Sequence, residues 1–562
     1  MTEKPTMIVE KRRTPRGHRK AAQESVSKTL RARLPAFPKR PKVRGGDFLL
    51  WLCAVTTGAV LVLYLMLLGV IAVNGLQSLW PKRVVTIEME DGRRLIGQLQ
   101  GHDTKHDRYR LYRANRVFQG DDFVWIEADQ IETKDYHRDI VLVERRENGN
   151  LIGYLRAIQP GNLVSDEAAL WQEVQKRRAR VMAEEALAVT KLTKRMATIN
   201  GRLEKLRLER RRYEDAGREP PDNLLQDETR LHETYLELDR RHLRLMASMR
   251  GQLVVLEDAA GIRHLVPFSQ IVRAYRPNRL STFDRLSIYG DKLVELFTEG
   301  PRESNTEGGL FPAILGTVML VMLMSLFCVP LGVLAAVYLH EYASEGWLMT
   351  AIRLAVHNLA GVPGIVYGIF GLGFFVYGLG GSLDELFFAH KLPIPTFGTG
   401  GILWASLTMA ILTVPVVIVS TEEGLRSVPR VVREGSMSLG ATQFQTLVRV
   451  VLPMASPGIL TGFILAIIRA AGEVAPLMIV GVVKMAPMLP VSDEFPFVHL
   501  ERKFMHLGFH IYDAGFQSPN VEAALPMAYL TTTLLVFLVL CMSFAAMVLR
   551  ARIRARYSEL SL

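Results

Sequence analysis

The chain is 562 residues long and 49% hydrophobic, room for roughly two to four ordinary domains, but its apolar residues lie in blocks instead of being spread evenly. The formal charge of +12 sits almost wholly at one end, where residues 1–46 carry fourteen Lys/Arg against three Glu. Cys53, Cys328 and Cys541 all fall inside apolar blocks, which excludes a disulfide framework and leaves them as packing residues.

The basic segment 1–46 leads into a first apolar run, Phe48 to Val73. A leader of that length, with no small-x-small site after Val73, does not suit a cleaved signal peptide, so 47–74 is predicted to be a transmembrane anchor helix. Beside a span, a basic tail holds orientation and touches anionic membrane lipid, which displaces a nucleic-acid reading of the same charge.

Five further stretches can cross about 30 Å of hydrocarbon, which takes about 20 helical residues. They are Phe311 to Tyr338, Leu359 to Leu379, Ile402 to Ser420, Gly458 to Val482 and Leu525 to Leu549. With the N-terminus in the cytoplasm, segments 1–46, 340–357, 421–453 and 550–562 hold 23 Lys/Arg, against 4 in the opposite connections 381–400 and 483–524. That bias predicts both termini inside, 550–562 as a second basic cytoplasmic tail, and the long segment 81–310 outside.

The outer segment is predicted to fold as a β-rich domain over 81–280 with a helical hairpin inserted at 166–250. Asp91-Gly92 and Asn148-Gly149 each separate alternating runs, and strand patterns return at QLVVLE and HLVPFSQIVRAY. Between them Leu192, Met196, Ile199, Leu203, Leu206 and Tyr213 keep helical spacing. Leu224, Leu231, Leu238 and Leu245 then recur every seven residues, with Tyr235, His242 and Met249 at the alternate position. The pattern reads as an antiparallel coiled coil with its tip at Pro220-Pro221. A solvent-exposed strut and a partner-binding arm both suit that seam. Residues 281–300 follow as an amphipathic interfacial helix, with Phe283, Leu286, Tyr289, Leu293 and Leu296 on one side.

The cytoplasmic segment 421–453 is far longer than a simple helix reversal needs. From Glu434 it runs Glu-Gly-Ser, three residues, Gly440, nine residues, Val450, one residue, Leu452-Pro453. This predicts a helix, a glycine break and a proline stop, with Gly435 and Ser436 small enough for a partner surface to come close. Glycine inside a helix costs about 0.5–1 kcal/mol relative to alanine, so Gly435 loosens the first helix of this element.

The spacing resembles the EAA loop of ABC importer permeases at Glu434, Gly440, Leu452 and Pro453, with Val450 for isoleucine and Gly435-Ser436 where two alanines are usual. EYA at 341–343, NLAGVPGIVYGIFGLG at 358–373, LTVPVVIVSTEEGLRSVPRVVREGSMSLGAT at 412–442 and IIRAAGEVAPLMIVG at 467–481 are similar to the PstA-type permease subunits of bacterial phosphate ABC importers. The resemblance covers about residues 311–549, with GVPG in place of GVPS; residues 1–310 lie outside it. It implies an all-α polytopic protein of the bacterial inner membrane: one anchor plus a five-helix type I ABC importer permease core, carrying an extracytoplasmic α+β domain. It further implies a PstC-type second permease, a PstB-type ATPase dimer and a PstS-type periplasmic phosphate-binding protein. No GxxxxGK[ST] occurs and no nucleophile-base arrangement stands out, so the chain is expected to be non-catalytic and to bind no cofactor, ATP and Mg belonging to the partner ATPase.

Arg469 and Glu473 stand four residues apart on the fifth span, hence on one helix face. A mid-membrane charge costs about 2.5–3.5 kcal/mol on insertion scales, so the pair is expected to face protein or a water path. Two readings are open: mutual neutralisation that locks two helices, or a guanidinium offered to an oxyanion with Glu473 positioning or releasing it. Pro363 and Pro476 either free backbone hydrogen bonds along a path or simply kink their helices. Candidate pathway residues are therefore Arg469, Glu473, Pro476, Asn358 and Pro363. Thr421, Glu422 and Glu423 read as a solvated interface cluster, with gating by the two glutamates as the alternative. His499, His506 and His510, near Asp493 and Glu494, are not expected to form a metal site. Rival functions are a permease for sulfate, molybdate or another oxyanion, and an envelope scaffold or chain-length regulator, which leaves five of the spans unexplained. A third possibility is a sensor domain at 81–310 grafted on a working permease.

Overall fold

The computed structural model describes residues 48–114, 122–161, 166–492 and 495–558. The tail 1–46, Asp493, Glu494 and the chain from 559 onward lie outside the described residues. The chain divides into two compact units, Met1–Leu67 and Leu68–Leu562.

In the first unit the described residues are the leading part of helix α1 (Phe48–Ser78). Trp51, Val55, Leu61, Leu63 and Leu67 are all largely exposed. A helix that is apolar all round yet uncovered suits lipid, not water.

The second unit opens with a duplicated β fold. Strands β1 (Val85–Met89), β2 (Arg94–Asp103), β3 (Arg108–Tyr112), β4 (Phe123–Glu127) and β5 (Ile131–Asp135) form an antiparallel sheet in the order β4-β3-β2-β1-β5. Strands β6 (Ile140–Arg145), β7 (Leu151–Gln159), β8 (Leu253–Glu257), β9 (Arg263–Pro267) and β10 (Ile271–Tyr275) repeat that order as β10-β6-β7-β8-β9. A 3₁₀ turn precedes the last strand of each, at Ala128–Gln130 and Phe268–Gln270. The copies share sequence too: after the Asp91-Gly92 and Asn148-Gly149 turns come Leu95-Ile96-Gly97-Gln98-Leu99 and Leu151-Ile152-Gly153-Tyr154-Leu155. The shared glycine has a steric reason. A Cβ on Gly97 would stand 2.4 Å from the Tyr112 carbonyl oxygen, and one on Gly153 2.6 Å from that of Glu257.

The helical arm enters between the second and third strands of the second copy. It comprises α2 (Glu167–Glu184), a π-helical turn, α3 (Thr190–Asp215) and α4 (Asp222–Arg250). Ile199, Leu203 and Leu238 are buried in its seam, with Leu192, Met196, Leu231 and Tyr235 packed against them. Near the tip, Arg212 Nη2 lies 3.5 Å from His390 Nε2 of the helical bundle.

Helix α5 (Thr282–Thr298) starts at a Ser281/Asp284 capping box. Its Lys292 and Glu295 tie it to the second sheet: Glu144 pairs with Lys292 at 2.7 Å and Arg273 at 2.6 Å, while Glu295 takes Arg273 at 3.0 Å and also Arg302. Arg302 belongs to a strap in which β11 (Pro301–Arg302) pairs with β12 (Glu307–Gly308).

The bundle contains α6 (Phe311–Tyr342), α7 (Trp347–Leu359), α8 (Gly364–Phe387), α9 (Ile402–Arg426), α10 (Arg430–Ser438), α11 (Gln443–Gly472), α12 (Ala475–Val480), α13 (Leu507–Tyr512) and α14 (Val521–Ser558). Six helices among the described residues, α1, α6, α8, α9, α11 and α14, are long and apolar enough to cross a membrane. The core centres on α9, whose Ala405, Met409, Leu412 and Val417 are fully buried. Where α11 crosses α9, a Cβ on Gly458 would stand 2.5 Å from Gly424 Cα, the small-residue contact that lets membrane helices approach closely.

Four sequence expectations change. The stretch Leu359 to Leu379 is not one helix: α7 ends at Leu359 and α8 starts at Gly364, because Pro363 has no N–H and turns the preceding residue away from helix. The stretch Gly458 to Val482 is also broken. Helix α11 begins at the Thr442/Gln445 capping box, stops at Gly472, and α12 restarts with Pro476 in its first turn. Pro453 is no stop, since α11 passes through it just after a π-helical turn at Leu447–Val451. Of the cysteines only Cys328 is buried; Cys53 and Cys541 are exposed on their helices.

Candidate coupling loop and intramembrane charge site

The candidate coupling loop is built by two helix caps. Helix α10 closes with Gly440 at φ +88°, its N–H donating to Met437 while the Ala441 N–H reaches back to Ser436. This is the left-handed glycine cap, which supplies partners for the last carbonyls and which a side chain strains. Thr442 then opens α11, and Ser436 Oγ meets Thr446 Oγ1 at 3.0 Å to bridge the two helices. Glu434, Gly435 and Gly440 are exposed, and nothing lies within 4 Å of where a Cβ on either glycine would stand. Leu439 is 92% exposed and Val431 77%, so apolar side chains stand uncovered on the same loop. Val450, Leu452 and Pro453 are half-buried in the bend of α11.

The intramembrane site lies where two helix breaks meet. Arg469, in the last turn of α11, donates from Nη2 to the Ala360 carbonyl at 3.3 Å and holds its Nε 3.8 Å from Glu473 Oε1. Glu473 is not on the helix face expected: it is the residue after α11, in extended backbone, and it stays beside Arg469 because the chain turns there. Across the gap, a Cβ on Gly364 would stand 3.2 Å from Glu473 Oε2, and one on Gly368 2.8 Å from Pro476 Cα. Tyr367 donates its hydroxyl to the Leu359 carbonyl at 2.8 Å and so fixes the other side of the break. Pro363 and Pro476 both stand at helix starts rather than at kinks within helices. Asn358 is exposed and offers the loop its carbonyl, which accepts from Gly361; it does not join Arg469.

The acidic cluster at the end of α9 is not solvated as expected. Thr421 and Glu422 are buried and only Glu423 is exposed. Glu422 is kept in by Arg426 at 3.6 Å and by Arg353 of α7 at 3.8 Å, a partner sixty-nine positions away in sequence that no local spacing reveals. Among the histidines, His499 bonds Ser492 and Glu501, His506 caps α13, and His510 meets Thr531 at 3.2 Å. Burial pushes His506 and His510 down to about 4. Sequence reasoning also passed over Arg433, whose guanidinium reaches Glu341 of the EYA segment.

Residues 328–558 match the family described as binding-protein-dependent transport system inner membrane component. A phosphate transport system permease protein PstA of Mycobacterium leprae is 37% identical over 172 residues, 31% of this chain and 51% of that protein. A probable one of Methanocaldococcus jannaschii is 34% identical over 173 residues, 31% and 55% of the two chains. That of Yersinia pestis is 32% identical over 260 residues, 46% of this chain and 78% of the relative. The chain thus spans about half the length of the first two relatives and over three quarters of the third.

Proposed function

The chain belongs to the PstA family of phosphate transport system permeases, and on that premise we propose that it forms half of the membrane pathway of an ATP-driven importer of inorganic phosphate. The observation that carries this reading is Arg469, a guanidinium at the junction of two helix breaks with its carboxylate neighbour 3.8 Å away. An apolar tunnel rejects a dianion by a Born cost on the order of tens of kcal/mol. Guanidinium forks match phosphate oxygens, and the N-terminus of α8 adds the partial positive charge of a helix start at the same break. A lone Arg beside a carboxylate attracts without trapping, which suits passage and not storage. Broken helices at membrane depth are the usual way transporters expose backbone groups to a substrate.

In this reading a PstB-type ATPase dimer, which alone holds ATP and Mg, docks on α10 around Glu434, Gly435, Ser436 and Gly440. A PstC-type permease completes the pathway and a PstS-type protein delivers phosphate from outside. Both termini are cytoplasmic, the duplicated β domain and its arm stand outside, and the chain is a multi-pass, non-catalytic subunit of the bacterial inner membrane. ATP-driven closure moves α10 and alternates access past Arg469. Glu422 and Glu423 border the inner end of the path. A second reading, with sulfate or molybdate as substrate, is favoured by the same guanidinium, which reads charge and oxygen geometry rather than the central atom. Competition separates them: the complete complex takes up labelled phosphate against excess sulfate and molybdate if phosphate is the substrate, and takes up labelled sulfate or molybdate but little phosphate if it is not.

A further inference from the structure

Helix α10 buries no residue of its own, so apolar packing does not hold it. Arg433 does, reaching Glu341 at the end of α6 and donating at 2.7 Å to the Leu425 carbonyl near the end of α9. The ion pair is shielded, with side chains 18% and 14% exposed, and His340 Nδ1 lies 2.9 Å from the same Glu341 oxygen. Two residues earlier on α6, the Leu339 carbonyl accepts from Arg353 at 2.9 Å. Arg353 stands on α7 and faces Glu422. The last residue of α7 is Leu359, held by Tyr367, and the next carbonyl is the acceptor of Arg469.

We propose that Glu341, Arg433 and Arg353 are positioning residues that carry displacement of the coupling helix through α6 and α7 to the Arg469 break. Breaking a shielded ion pair costs far more than breaking an exposed one, so α10 cannot tilt without pulling the end of α6. Helix α7 then moves as a rod, because Arg353 is fixed to that end, and Ala360 shifts against Arg469. The proposal rests on the reading of α10 as the ATPase dock. Contiguity alone does not establish coupling, so the test measures coupling itself.

The complex co-purified with its ATPase is reconstituted in proteoliposomes, and phosphate moved per ATP hydrolysed is measured. A second readout is the ATP-driven change in distance between spin labels at Val362 and Phe311 in a cysteine-free background. Glu341→Arg is expected to keep the ATPase bound and hydrolysing while phosphate per ATP falls at least about tenfold, an ordinary size for coupling between sites. The ATP-driven distance change disappears with it. Adding Arg433→Glu restores the pair with reversed charge and recovers both readouts, which a merely structural role would not do. Unchanged coupling in Glu341→Arg, or a swapped pair no better than the single variant, overturns the proposal. If the wild-type complex moves no phosphate, the substrate reading is at fault and the spin-label distance alone decides the clamp by the same two criteria.

Discussion

At Gly435 and Gly440 of the candidate coupling loop nothing stands within 4 Å of where a Cβ would lie, whereas beside the Arg469 break a Cβ on Gly368 would stand 2.8 Å from Pro476 Cα and one on Gly371 2.2 Å from Thr408 Oγ1. The residue type is the same and its work is opposite. Gly368 and Gly371 let two segments of this chain pack together, while Gly435 and Gly440 leave a surface of the loop uncovered. The charges follow the same division. Arg469 and Glu473 are held among packed helices, while Glu434 stands exposed beside Leu439 and Val431.

The sharpest way to break that comparison is to put the same side chain at both ends. Gly368→Leu should cost at least about 1–3 kcal/mol by overpacking, abolish uptake and lower the melting temperature of the solubilised protein. Gly435→Leu should leave melting of the isolated chain unchanged and weaken only ATPase co-purification. Equal melting losses in the two variants would dissolve the distinction. Gly440→Leu comes next, since its left-handed backbone costs a non-glycine residue about 1–2 kcal/mol without any clash. Retention of the ATPase should fall while membrane insertion is kept, as measured by pull-down against total membrane protein.

The smallest effect is at the strap between the β domain and the bundle. Burial pushes Glu307 up to about 7, with Glu144 and Glu303 adding to it and Arg302 and Lys292 opposing. A carboxyl with a raised folded pKa stabilises the packed state fully below its unfolded pKa and loses that contribution as pH rises through about 7. Hydrogen-exchange protection across 301–308, taken relative to the intrinsic base-catalysed rate, should therefore fall as pH rises from about 4.5 to about 7 and level off above, and Glu307→Gln should flatten that profile. A wild-type protection profile already flat over that interval would contradict this role for Glu307.

Much of the architecture is legible in residue order. The six spans follow from apolar length, and the arm follows from Leu224, Leu231 and Leu238 recurring every seven residues. The helix breaks at 360–363 and 473–474 are hidden because apolar residues dominate both runs, leaving Pro363, Glu473 and Pro476 as the signals. The extension of α11 back to Gln443 is hidden for the opposite reason, since polar residues there look like loop until Thr442 is seen as a cap. The duplication of the β fold was written in the sequence as Leu-Ile-Gly-x-Leu at 95–99 and 151–155, but the inserted arm separates the halves of the second copy. Burial of Glu422 depends on Arg353 in a distant helix, which only tertiary structure supplies.

The central claim, that Arg469 meets the transported anion, is tested most directly by initial uptake of labelled phosphate in complexes carrying Arg469→Ala or Arg469→Lys, with ATPase retention confirmed for each. Arg469→Ala should assemble normally and transport at no more than about a hundredth of the wild-type rate, as losing a charge-assisted contact worth roughly 3 kcal/mol requires. Arg469→Lys should fall between, retaining charge without the fork. Full uptake by an assembled Arg469→Ala complex would contradict the account and return the Arg469–Glu473 pair to a purely structural lock.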